Sequence, residues 1–185
     1  MPHRPAEAEH IRHCPRCAAT SLSWHSTKNF RCNACGFTLF LNVAAAVGVI
    51  IECRGKILFG VRRNDPGKGM LDLPGGFVDP EETAEECAVR EVLEETGIRI
   101  PGGSYFMSLP NSYLFRQITY STLDLVLTVR LDEFPAMQAA DDLAELLWVD
   151  RDEVDPEKIA FPSLREAVLR YMASMPPVLQ AVPSP

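Results

Sequence analysis

Apolar residues along the chain fall into runs of two kinds. Residues 43–52 form a nearly continuous apolar run, and residues 56–61 form another after Arg54-Gly55. Two such runs joined by a short Gly-containing link predict a β-hairpin. Residues 71–78 predict a short strand and loop. Residues 105–109, 119–131 and 146–149 predict further strands, the long central one from its β-branched and aromatic content. Between them, residues 83–95 contain no Gly or Pro and are rich in Ala, Glu, Leu and Arg. That composition predicts a helix, with Pro80 ahead of it and Gly97 just beyond as start and stop signals. Residues 163–172 predict an amphipathic closing helix with Ser163 as N-cap after Pro162. From Pro176 the chain is proline-rich and reads as disordered. No internal repeat is present.

The first predicted helix concentrates charge. Glu91 and Glu95 stand four residues apart and Glu94 stands three from Glu91, so three carboxylates share one face. Like charges so placed destabilise the helix or raise one another's pKa unless a cation joins them. An oxygen-only set of this kind suits Mg²⁺ or Mn²⁺. Arg90 adjoins the three, with Glu82 two turns back, so Arg90 can hold a carboxylate in a bidentate pair and fix its orientation. Gly76 follows Leu-Pro-Gly, where a tight turn lets its carbonyl approach a metal. Glu85 and Glu86 read as a solvated acidic face. Arg62, Arg63 and Lys68 precede this segment in a predicted loop and could clamp phosphates.

The chain has 185 residues, 46% hydrophobic and 23% charged, enough for one domain with a proper core plus a small appendage. No apolar run approaches the length of a membrane span, and residues 1–12 are polar with Pro, His and Glu. A cytoplasmic protein without membrane attachment is therefore expected. The formal charge of -7 argues against a general binder of phosphate backbones and leaves little long-range attraction for anionic substrates. Locally bound metal must supply that attraction.

Four of the six cysteines fall as Cys14-Pro-Arg-Cys17 and Cys32-Asn-Ala-Cys35-Gly36. That spacing predicts a four-cysteine Zn²⁺ ribbon within residues 1–40, in which the metal contributes most of the folding free energy of a segment too small to bury a core. Cys53 and Cys87 read as core thiols. His3, His10 and His13 read as surface residues.

From Gly76 to Ile98 the chain satisfies G-x5-E-x7-R-E-U-x-E-E-x-G-U, U being a bulky aliphatic residue, at every fixed position. This is the Nudix box, which Glu82 and Gly97 complete. With the four-cysteine ribbon just upstream, the chain resembles the NADH pyrophosphatase branch of Nudix hydrolases from about Cys14 to Tyr171. The resemblance implies an α/β fold: an α/β/α sandwich around a mixed sheet over residues 41–175, preceded by the ribbon and followed by the tail 176–185. It also implies a homodimer that hydrolyses the pyrophosphate bond of NADH, NAD or an ADP-ribose-like nucleotide, releasing AMP and a second monophosphate. The implied metal site joins Glu91, Glu94 and Glu95 with the Gly76 carbonyl and a later acid. Glu145, three residues before Trp148, matches the family's position for that acid, with Asp141 and Asp142 as competitors. Glu91 is the first choice to take the proton of the attacking water and Glu145 the second.

Substrate choice is where the match departs. The NADH-selective members carry a Ser-Gln-Pro-Trp-like array, whereas this chain reads Ser108-Leu109-Pro110-Asn111-Ser112-Tyr113, keeping serine and proline and losing glutamine and tryptophan. Tyr113, Phe115 or Tyr120 could still stack on a base. The rival reading is a zinc-ribbon nucleic-acid-binding module using Arg12, Arg16, Lys28 and Arg31 with Trp24 and Phe30. The two combine in a Nudix enzyme acting on capped RNA. The acidic chain favours a structural or dimerising ribbon over the binding module.

Overall fold

The computed structural model describes Ala8 and residues 10–175. The disorder expected of residues 176–185, and His3, lie outside the described residues. Two compact units emerge: Met1–Ala44 with Ser112–Thr122, and Ala45–Asn111 with Leu123–Pro185.

In the first unit, β1 (Leu22–Trp24), β2 (Asn29–Cys32) and β3 (Thr38–Phe40) form a three-stranded antiparallel sheet in that order. Phe30 on β2 is fully buried, and its ring packs 5.1 Å from that of Trp24 on β1. Among the described residues it is the one large hydrophobic side chain that this unit buries completely.

The larger sheet contains β4 (Ala44–Cys53), β5 (Lys56–Arg62), β6 (Leu71–Asp72), β7 (Ser104–Phe115), β8 (Ile118–Leu131) and β9 (Leu143–Asp150). Its order is β6-β5-β4-β8-β7, with β9 also antiparallel to β5. The predicted β4–β5 hairpin closes through Arg54 at φ 49° and Gly55 at φ 82°, the paired positive φ values of a type I′ turn. Two helices cover the sheet of the second unit, α1 (Ala84–Thr96) and α2 (Pro162–Ser174). Val47, Val49 and Ile51 of β4, Leu58 of β5, and Leu127 and Val129 of β8 pack with Cys87, Ala88 and Val92 of α1. Their alternates Ile50, Ile57, Phe59 and Val126 pack with Leu164, Ala167, Val168 and Tyr171 of α2. Successive side chains of a strand point to opposite faces, so these two clusters define an α/β/α sandwich. Both faces of β4 are covered, which is why its sequence is an unbroken apolar run rather than an alternating one.

Two expectations need correction. Ser163 is not the N-cap of α2; Phe161 holds that position and makes no side-chain cap. Pro162 opens the helix at N1, where its missing N–H costs nothing, and the Ser163 hydroxyl instead donates to the buried Asp124 carboxylate at 2.5 Å. The strand expected at 105–109 runs from Ser104 to Phe115. It continues through Pro110 because β7 ends the sheet order, and an edge strand tolerates a residue without an N–H. Its turn into β8 uses Arg116 and Gln117 at φ 45° and 69°, without the Gly or Asn that marks such turns in sequence.

Candidate active site and metal centre

Helix α1 starts and stops where its sequence dictates. The Thr83 hydroxyl accepts from the Glu86 N–H and the Glu86 carboxylate accepts from the Thr83 N–H, a reciprocal capping box. Glu86 is thus exposed but caps the helix rather than standing idle. Gly97, at φ 73°, ends the helix with its N–H on the Leu93 carbonyl.

The loop before α1 runs along β4. The Val49 N–H donates to the Pro74 carbonyl and the Val47 N–H to the Gly76 carbonyl, both at 2.8 Å, and the Val78 N–H donates to the Ala45 carbonyl at 3.1 Å. This clamp leaves no space for side chains. Gly75 sits at φ 152°, where a Cβ would run into the Val47 carbonyl, and a Cβ on Gly76 would run into the Glu91 carboxylate. The Gly75-Gly76 pair therefore lets the loop backbone abut the helix's acids. Through it the Gly75 N–H donates to Glu95 Oε2 at 2.9 Å.

Arg90 organises the other carboxylates. Its Nε and Nη2 each lie 2.8 Å from the two oxygens of Glu82, the expected bidentate pair. Nη1 reaches Glu91 at 2.8 Å and Glu94 at 3.2 Å, and Nη2 also donates to the Phe77 carbonyl. The guanidinium is thus a cation that eases the crowding of Glu91 and Glu94. It does not serve Glu95, which lies inward and only 4% exposed.

The electrostatics follow from this division. Arg90 holds Glu82 down to about 2. Burial raises Glu91 despite Arg90, with Glu94 and Asp141 adding to the rise. Burial pushes Glu95 up to about 8, opposed by the Gly75 N–H and reinforced by the charges of Asp72, Glu91 and Asp142. Asp72 is itself raised to about 6, because burial outweighs its ion pair with Arg62. Cys87, on the core-facing side of α1, is a buried thiol pushed up to about 12 by burial and is inert as a nucleophile. Cys53 is likewise a core thiol.

Other expected contacts are distributed unevenly. Of the downstream acids, Asp141 and Asp142 act electrostatically on Glu91 and Glu95, whereas Glu145 is exposed on β9 opposite Val61 of β5. Arg62 is not delivered to an open phosphate site. Its guanidinium is buried against Asp72, donates to the Pro66 carbonyl and lies 4.8 Å from the centre of the Phe161 ring. Arg63 is exposed, with Nη2 on the Leu143 carbonyl at 2.8 Å, and Lys68 is exposed. Ser108 accepts from the Tyr105 hydroxyl at 3.2 Å. Tyr113 stacks on Phe115, 6.5 Å between centroids. The sequence reading missed Asp72 and Gly75, since their effect on Glu95 depends on burial and loop path. It also missed Asn111, whose amide donates to Asp124 at 2.9 Å.

In the first unit, the sulfurs of Cys14, Cys17, Cys32 and Cys35 lie within 4.8 Å of one another, so they can hold a metal ion. Cys14 and Cys35 are 3.8 Å apart and Cys17 and Cys32 3.6 Å. A tetrahedron with zinc–sulfur arms of about 2.3 Å has edges of about 3.8 Å. The four thiols share their protons unevenly: backbone N–H groups of Cys35 and Ala34 bring Cys32 down to about 7, while hydrogen bonds to the other three thiols and burial push Cys17 up to about 12. Exposed His10 and His13 are not part of the cluster.

Arg90→Lys should isolate the organising role of the guanidinium. A single ammonium cannot span Glu82, Glu91 and Glu94 together, so kcat should fall by roughly 10- to 100-fold and the divalent ion needed for half-maximal rate should rise. Circular dichroism should show the fold unchanged. An unaltered metal titration would remove Arg90 from this role.

A family model described as NUDIX domain matches residues 41–171. The chain is 53% identical over 62 residues to an ADP-ribose pyrophosphatase of Methanocaldococcus jannaschii, covering 34% of this chain and 37% of that protein. It is 33% identical over 100 residues to an NAD-capped RNA hydrolase NudC of Vibrio cholerae, covering 54% of this chain and 37% of that protein. The matched stretches thus span little more than a third of these curated relatives. The crystal structure of a NUDIX hydrolase from Nitrosomonas europaea superposes with a TM-score of 0.72 at 25% identity, over 88% of this chain and 90% of that one.

Proposed function

The chain belongs to the NUDIX domain family, and from that premise we propose that it hydrolyses the pyrophosphate bond of an ADP-linked nucleotide, with NADH and ADP-ribose as leading substrates. The observation that carries this reading is the Arg90-organised carboxylate set of α1 set against the Gly75-Gly76 backbone, with Glu95 pushed up to about 8 by burial and Glu91 also raised by burial. Oxygen ligands held in that state suit Mg²⁺ or Mn²⁺. Glu91, Glu94, Glu95 and the Gly76 carbonyl would hold it, joined by a later acid, Glu145 by family position or Asp141 or Asp142 by electrostatic reach. The bound ion would neutralise phosphate charge and acidify the attacking water.

The protein's residues divide the remaining work. Glu91 accepts the proton of the water that attacks phosphorus. Arg90 orients Glu91 through Nη1, and Glu82 holds Arg90. The bond to the leaving phosphate oxygen breaks, and two monophosphates result, one of them AMP. Arg63 is the basic side chain nearest in role to a phosphate clamp, while Ser108 and Tyr113 remain the proposed base and ribose contacts. The four cysteines hold structural Zn²⁺ in a cytoplasmic setting that keeps thiols reduced. A homodimer, implied by the resemblance, completes the reading.

Measuring kcat/KM for NADH, NAD⁺, ADP-ribose, diadenosine compounds and nucleoside triphosphates, with AMP identified as product, tests it. Discrimination among the ADP-linked compounds should stay within about 10- to 200-fold, the range that small changes in pocket packing provide. A clear preference for a triphosphate overturns the substrate assignment and leaves the carboxylate chemistry standing.

A further inference from the structure

The chain's net charge of -7 conceals a strong segregation. Of its 25 Asp and Glu residues, only Glu7 and Glu9 fall in the first unit. Among the described residues that unit has Arg12, Arg16, Lys28, Arg31 and Arg116 and no carboxylate at all. All five are exposed, and none is ion-paired. Two net negative charges on a zinc tetrathiolate would leave the unit positive. The acidity of the whole chain is therefore no argument against polyanion binding by this part of it.

The same unit exposes rings. A groove of about 790 Å³ is lined by His10, Lys28, Phe40, Asn42, Val43 and Tyr120 among others, a volume that takes a nucleotide-sized group. Phe40 is 60% exposed and Val43 56%, on a unit whose own core needs neither. At the β7–β8 turn the Arg116 guanidinium lies 5.2 Å from the centre of the exposed Phe115 ring. Basic groups interleaved with exposed rings match what a single-stranded nucleic acid requires: cations for the backbone and flat faces for unstacked bases. The rings sit among polar Thr27, Asn42 and Ser121 in a concave groove, which suits bases better than a continuous lipid surface.

We propose that the cysteine-ribbon unit, together with the β7–β8 turn, is a docking surface for single-stranded nucleic acid, whose phosphates meet Lys28, Arg116 and the neighbouring arginines and whose bases stack on Phe40. This surface is independent of the hydrolytic reading. Fluorescence anisotropy of a 5′-hydroxyl single-stranded RNA of about 15 nucleotides, which carries no pyrophosphate, tests it on the full zinc-loaded chain. The parent should bind at low salt with log Kd linear in log salt, the slope near 0.7 per phosphate neutralised and so roughly 2 to 3.5 for three to five contacts. Lys28→Glu combined with Arg116→Glu should weaken binding by at least about 10-fold and reduce that slope by about 1.4. Phe40→Ala should weaken it by roughly 5- to 150-fold, the contribution of one stacked base, and leave the slope alone. Both variants should keep parental zinc content and parental turnover of ADP-linked nucleotides, so that failure of either assignment is read separately. Parental affinity in both variants, salt-insensitive binding, no binding at low salt, or displacement of the RNA by vesicles rich in anionic lipid would each overturn the proposal.

Discussion

Replacing Glu95 with Gln should lower kcat by on the order of 100-fold or more and, in the same variant, flatten the pH dependence of stability of the metal-free protein. The two effects share one cause, the burial of Glu95 behind the Gly75 N–H. In the fold its pKa is pushed from 4.5 up to about 8. Between those values the folded state binds a proton that the unfolded state has released, so metal-free stability falls as pH rises through that window, by up to about 1.4 kcal/mol per pH unit. Glutamine keeps the size and the acceptor for Gly75 but cannot ionise, so that slope disappears along with the charged ligand. Thermal melts in chelator from pH 5 to 8, beside turnover in Mg²⁺, measure both. Glu94→Gln is the useful contrast. Glu94 is half exposed and lies 3.2 Å from Arg90 Nη1, and its loss should lower activity. Near-parental turnover of folded Glu95→Gln would remove this residue from the metal site.

Cys32→Ser should release about one equivalent of Zn²⁺ and unfold the first unit while Mg²⁺-dependent chemistry in the second persists. Ordering the backbone costs about 1–2 kcal/mol per residue, while burying a side chain such as Phe30 returns only about 1.5–3 kcal/mol. With Phe30 as its one large fully buried hydrophobic side chain among the described residues, the unit does not close that gap by packing. A structural zinc, with an apparent binding free energy of about 10–16 kcal/mol, is the largest single contribution available to hold it folded. Hydrogen exchange should show residues 10–43 losing protection, with α1 and β4 unchanged, and metal analysis should show the zinc gone. A parent protein purified without zinc, or a first unit still protected after chelation, would refute the assignment.

What could be read from the chain alone shares one property: short sequence separation. The helix of the box, its stop at Gly97, the pairing of Arg90 with Glu82 and the cysteine knuckles are fixed by offsets of a few residues, which local backbone geometry turns directly into positions. The β4–β5 hairpin belongs with them, because Arg54-Gly55 sets both turn and register.

The tertiary structure decided everything that depends on which distant backbone arrives beside a side chain. Arg62 and Ser163 looked available and were instead drawn to the buried carboxylates Asp72 and Asp124, since a charge taken from water must find a partner and the partner's place is set by strand register. Glu95 looked equivalent to Glu94, yet one turned under the glycine loop and the other stayed in solvent. The basic surface of the first unit likewise gains Arg116 only in the fold, because residues 112–122 join in space the segment that already holds Arg12, Arg16, Lys28 and Arg31 though some seventy residues separate them along the chain. Composition sums charge over sequence, while binding feels only the charge that folding gathers on one face.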